Sequence, residues 1–137
     1  MSQRSSDIGT RPIESVMVVE PDVLVRMTIA DYLREGGYRV IEAITGEEAL
    51  SILGAGFKVD AVLSAVKLQG AVDGFALAQR IRDGFSGIEV ILATGFAMTA
   101  KKAGELCELG PGKRPYHPDL IVDRLKLLFE KHRPKPS

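Results

Sequence analysis

Val16-Met17-Val18-Val19-Glu20-Pro21-Asp22 runs four apolar residues straight into an acid, a proline and a second acid. A short continuous apolar run suits a strand covered on both faces, as in a parallel sheet. Asp22 then stands as the N-cap of a helix. Val23, Met27, Ala30 and Leu33 recur in it at spacings of three and four, which makes them the expected inward stripe. Gly36-Gly37 ends that helix through a left-handed turn.

The same alternation repeats outward along the chain. Residues 38–43 read as a second strand, and Thr45 with Glu48 has capping-box spacing ahead of a helix through Ala49, Leu50 and Leu53. Residues 59–64 read as a third strand, with Asp60 at its start. Asp73 then caps a helix through Phe75, Leu77, Ala78 and Ile81. Residues 88–93 form the fourth and most apolar strand, and residues 98–109 a fourth helix. Leu109 to Lys113 holds Gly110, Pro111 and Gly112. Because proline removes a ladder donor, this stretch is expected to be a short edge strand or a loop. His117-Pro118-Asp119 opens the last helix, with Leu120, Ile121, Leu125, Leu128 and Phe129 as its buried face. Alternating strands and helices imply a doubly wound α/β domain: a flavodoxin-like five-stranded parallel sheet of order 2-1-3-4-5, its fifth strand short or irregular. Right-handed crossovers place the first and last helices on one face and the middle three on the other.

Composition bounds the rest. The 137 residues fit one domain, read here as 14–130 between a disordered tail, 1–13, and a basic one, 131–137. Eighteen basic side chains balance eighteen acidic ones, which argues against a broad nucleic-acid footprint. No apolar run approaches the roughly 20 residues that cross a bilayer. The single cysteine, Cys107, forms no internal disulfide and is expected to be buried as a small hydrophobe. These features describe a cytoplasmic domain with neither nucleic acid nor membrane as partner.

Five segments together resemble the receiver domain of two-component response regulators over about residues 14–130. They are Val18-Val19-Glu20-Pro21-Asp22, Thr45-Gly46-Glu47-Glu48-Ala49-Leu50, Val66-Lys67-Leu68 with Asp73-Gly74, Ala93-Thr94-Gly95, and Arg114-Pro115-Tyr116. The resemblance implies a crevice at the strand ends holding an acidic pair, a phosphorylated Asp, a switch hydroxyl and a Lys before Pro. Here Pro21 replaces the second acid, Ala65 stands at the phosphoacceptor, Thr94 is the hydroxyl, and Lys113 or Arg114 takes the cation position. A phosphoacceptor needs a carboxylate oxygen and Mg²⁺ held by neighbouring carboxylates. Ala65 offers no oxygen, and Glu20 and Asp22 are left as weak candidates for a hydrated Mg²⁺.

The resemblance therefore implies a degenerate receiver without a cofactor: a stand-alone, non-enzymatic signalling module of a two-component or phosphorelay system. It is expected to act by contact with a histidine kinase, another regulator or a second copy of itself. The face expected to make that contact carries Lys101, Lys102, Glu105, Asp123 and Lys126. The rival from the enzyme class is a metal-dependent phosphoacceptor or phosphatase using Asp22, Asp73 or Ser64. A flavin or nucleotide carrier is a third reading, weakened by the absence of any Trp and of a phosphate loop. His117 and His132 lack partners at metal-ligand spacing, and His117 is read as an N-cap.

Overall fold

The computed structural model describes residues 13–112 and 118–132. Its elements follow in the order β1 (Ser15–Val19), α1 (Val23–Glu35), β2 (Arg39–Ala43), α2 (Gly46–Gly54), β3 (Ala61–Ala65), α3 (Gly74–Gly84), β4 (Glu89–Ala93), α4 (Gly95–Leu109) and α5 (Pro118–His132). Among the described residues the sheet is four-stranded and parallel, in the order β2-β1-β3-β4. Val16 pairs with Val40 and Ala61, and Ala61 pairs with Glu89, so all four strands end level. That alignment gathers Glu20, Ala65 and Thr94 at one rim.

The helix caps read from the sequence form. Asp22 Oδ1 accepts from the N–H groups of Leu24 and Val25 at 2.9 and 3.1 Å. Asp73 Oδ1 accepts from Ala76 N at 2.8 Å. Thr45 Oγ1 accepts from Glu48 N at 3.0 Å, while Glu48 Oε1 reaches past the cap residue to Ile44 N at 2.6 Å. Gly37 adopts φ 98°, the left-handed turn expected after α1.

The expected α1 stripe is corrected. Val23 and Met27 are half exposed, and the buried positions are Val25, Ile29, Tyr32 and Leu33 with Thr28 and Ala30 between them. Spacings of four, three and one make the real stripe, rotated from the expected one; Ala30 and Leu33 belong to both readings. On α3, Phe75 faces solvent while Leu77 and Ile81 are buried. On α5, Ile121 and Leu125 are buried and Leu120 is exposed; the side chains of Leu128 and Phe129 lie outside the described residues.

A larger correction concerns layering. The core has two parts, one on each face of the sheet. Met17, Val19 and Val62 pack with Leu53, Leu77 and Ile81 of α2 and α3. Val16, Val18 and Leu63 pack with α1, with Ala100, Ala103, Leu106 and Cys107 of α4, and with Ile121 and Leu125 of α5. So α4 lies on the α1 face rather than beside α2 and α3. It packs on β3 and β4, and α5 rests across α1 and α4 as an outer layer. The right-handed rule governs a strand–helix–strand unit, and no described strand follows α4 to close one. Gly95, at φ 83°, turns the chain one residue after Thr94, so α4 starts three residues earlier than expected. Its buried Ala100, Ala103 and Gly104 then allow close approach to the sheet.

The described part of the expected fifth strand is not extended sheet. Leu109 ends α4, and Gly110 to Gly112 turn the chain back against the end of α1. Lys113 lies outside the described residues.

Candidate functional site

At the C-terminal rim of the sheet a cleft of about 460 Å³ is lined by Glu20, Asp22, Val25, Ala65, Val66, Lys67, Ala93, Thr94, Gly95 and Phe96. This is the crevice expected of an open α/β sheet. Ala65 is the last residue of β3, paired with Ala93 of β4, and its methyl group is half-buried. Side chains alternate along a strand. Ala65 therefore shares a face with Leu63 of the α1 and α4 core, and Ser64 turns to the other face. Ser64 is buried, and its hydroxyl donates to the carbonyl of Ala65 at 2.8 Å.

The two acids are tied to the backbone. Glu20 Oε2 accepts from Asp22 N at 2.9 Å, and the Glu20 carbonyl accepts from Arg26 Nη1 at 3.0 Å. Arg26 in turn pairs with Glu42 of β2 at 3.1 Å. Burial pushes the Glu20 carboxyl above the usual carboxylate range, helped by the nearby charge of Asp22 and opposed by the Asp22 N–H and Arg26. Asp22 spends one oxygen capping α1. Pro21 sits between them and is not part of the cleft lining.

These donors do not fit the Mg²⁺ site that the receiver resemblance implies. Two carboxylates remain, each with an oxygen already bonded to backbone N–H, and Ala65 and Pro21 supply none. Among the described residues no three His, Cys, Asp or Glu side chains gather as a metal site. Mg²⁺ favours several oxygen ligands in near-octahedral array.

Thr94 occupies the N-cap position of α4 without a side-chain cap bond, and it lines the cleft. Asp73 is engaged as the α3 cap and is outside the cleft lining. Lys113, Arg114 and His117 lie outside the described residues. Lys67 is the cation that the described cleft does contain, and the sequence reading passed over it as part of a loop. Its position two residues beyond Ala65 was the available signal. Phe96 was missed too, because the fourth helix was expected to start later.

The loop after β3 is fastened from α2. Glu47 Oε2 accepts from Ala71 N at 2.9 Å, and a Cβ on Gly46 would collide with Val72. These backbone bonds hold the exposed Glu47 carboxyl below its ordinary range, its own N–H first and that of Ala71 next. On the opposite flank Lys101, Asp123 and Lys126 are exposed, and Lys102 pairs with Glu105 at 3.7 Å. Cys107 is fully buried. Among the described residues no helix is long and apolar enough to cross a membrane.

A parallel sheet with an acid-bearing crevice at its C-terminal rim defines a receiver-type α/β module. Residues 16–111 match the response regulator receiver domain family, and the chain belongs to that family. It is 30% identical over 118 residues to the uncharacterized transcriptional regulatory protein YbdJ of Bacillus subtilis, covering 85% of this chain and 51% of that protein. It is 29% identical over 119 residues to the probable transcriptional regulator ycf29 of Porphyra purpurea, covering 84% of this chain and 56% of that one. The chain thus spans about half the length of these curated relatives. Among solved structures, the N-terminal domain of a response regulator/sensory box/GGDEF protein from Carboxydothermus hydrogenoformans superposes with a TM-score of 0.58 at 25% identity. That match covers 86% of this chain and 98% of that one. The chain is a receiver-domain signalling module of two-component type.

Proposed function

We propose that this module is not phosphorylated and signals by protein contact alone, as a non-enzymatic degenerate receiver in the cytoplasm. The observation that carries this reading is the methyl group of Ala65, which stands in the cleft beside Glu20, Asp22 and Thr94. Aspartyl phosphate requires a carboxylate nucleophile, and an alanine offers none. The substitutes are poorly placed for attack. Ser64 is buried with its hydroxyl bonded to a carbonyl, and Asp22 and Asp73 are engaged as helix caps. The contact surface is the α4 and α5 flank carrying Lys101, Lys102, Glu105, Asp123 and Lys126. The partner is a histidine kinase, another regulator or a second copy. With no phosphoryl group to shift a conformational equilibrium, occupancy of the complex follows partner concentration.

The test is incubation with acetyl phosphate and Mg²⁺, followed by intact-mass measurement. An unchanged mass is expected. A stoichiometric gain of one phosphoryl group overturns the reading, and peptide mapping then assigns it to Asp22, Asp73, Ser64 or another residue.

A further inference from the structure

The floor and walls of the rim cleft are apolar. Val25 and Ala93 are buried, with Ala65, Val66 and Phe96 half-buried beside them. The backbone carbonyls there are already engaged. That of Ala65 accepts from Ser64 Oγ at 2.8 Å, that of Val66 from Gly74 N at 2.8 Å, and that of Ala93 from Val66 N at 3.0 Å. An open space of about 460 Å³ over such a surface suits a small organic molecule. Ligand pockets are mostly apolar, with a few polar groups that fix orientation.

The charged groups of the cleft set the sign of the ligand. Glu20 and Asp22 outnumber Lys67, the one cation in the described lining. Each acid keeps one oxygen that takes no hydrogen bond among the described residues. Arg26, close to Glu20, is held by the Glu20 carbonyl and by Glu42, at 3.0 and 3.1 Å. Lys67 is exposed, so water screens its charge, whereas Glu20 is half-buried, where attraction to an opposite charge is stronger. An anion would face two carboxylates here. A hydrated Mg²⁺ would meet too few oxygens and an apolar floor.

We propose that this cleft binds a small organic cation, a primary amine carried on a compact aromatic body. The ammonium donates to the open oxygens of Glu20 and Asp22 as charge-assisted hydrogen bonds. The body covers Ala65 and Val66, and Phe96 offers it a ring to pack against. The Ala65 methyl is what makes the floor suitable, since a carboxylate at that position would lie unpaired under an apolar group. The inference rests on the unphosphorylated reading, because a phosphoryl group would fill the same cleft.

Phenethylamine is the probe, titrated into the isotope-labelled full chain and followed by amide chemical shifts. Saturable shifts are expected at Ala65, Val66, Thr94 and Gly95. Glu20→Gln keeps an acceptor but loses the charge, and it weakens binding roughly 10- to 100-fold. Ala65→Leu fills the floor and abolishes binding; if that variant is unfolded by circular dichroism, Glu20→Gln and the ligand series carry the test. Phenylacetate, of opposite charge, and ethylamine, with no ring, bind roughly tenfold more weakly or worse. Shifts that are absent or lie outside the cleft overturn the proposal. So does phenylacetate binding as tightly as the amine, or a Glu20→Gln variant that binds unchanged. Binding that appears only once Lys113 and Arg114 are both replaced by Ala overturns it too, because the chain's own cation then holds the acids. These titrations contain no phosphodonor, so their failure is distinct from a mass gain with acetyl phosphate.

Discussion

The N–H of Gly112 donates to the carbonyl of Gly36 at 2.7 Å, joining the turn after α4 to the end of α1. The contact is tight on both sides. A Cβ on Gly112 would overlap the Gly36 carbonyl, and one on Gly37 would press on the Gly112 N–H at 3.1 Å. Gly37 and Gly112 thus let two backbones meet where α4 ends against α1.

Replacing Gly112 by Ala forces these backbones apart. The expected cost is about 1–3 kcal/mol, as for other overpacked sites, read by urea unfolding. Gly54→Ala, in α2 where a Cβ meets open space, is the control and raises stability by about 0.4–1 kcal/mol.

Asp60 holds the opposite rim of the sheet. Its buried carboxylate accepts from the N–H groups of Glu14 and Ser15 at 2.9 and 3.0 Å. Asp60→Ala orphans both donors and costs about 2–4 kcal/mol by equilibrium unfolding. Faster hydrogen exchange at Ser15 accompanies the loss.

Tyr38 donates its hydroxyl to the Leu106 carbonyl inside the core. Burial, with a smaller contribution from Cys107, pushes its pKa up to about 12. The folded value lies above the unfolded one of about 10, so this contribution is complete below pH 10 and fades as pH rises towards 12. Ultraviolet titration should show a late-ionising tyrosine signal that Tyr38→Phe removes. The variant also flattens the alkaline fall in stability.

Glu20 is raised by burial, so its ionised form is disfavoured in the folded chain. The penalty is absent well below the ordinary carboxylate pKa, develops as pH climbs through that value, and is complete above the folded pKa. Glu20→Gln keeps an acceptor for Asp22 N and escapes the penalty. The variant should match or exceed the parent at neutral pH and lose that advantage in acid, in denaturant titrations at a series of pH values.

The strands and caps were legible because their signals are local. Val16 to Val19, the Thr45–Glu48 pair, Asp22 and Asp73 each act within a few residues, and each formed as read. The cleft was legible for a related reason: parallel strands in register must end together, which brings Glu20, Ala65 and Thr94 to one rim. Lys67 and Phe96 were missed because their part in the cleft depends on how a loop folds and where a helix starts. The α1 stripe was misassigned because Val23 and Met27 fit a helical period nearly as well as Val25 and Ile29. Only the position of the sheet distinguishes the two.

Which face α4 takes was not written in any local pattern. An amphipathic helix announces that it has an apolar side, not which neighbour will cover it. That choice rests on the Gly95 turn, the small residues Ala100, Ala103 and Gly104 against the sheet, and the meeting of Gly112 with Gly36 from 76 positions away along the chain. Alternating apolar runs and helix caps sufficed to specify a parallel α/β sheet with an alanine at its crevice. The layering of α4 and α5 arises from contacts between residues distant in sequence, whose energies exist only once the chain has folded.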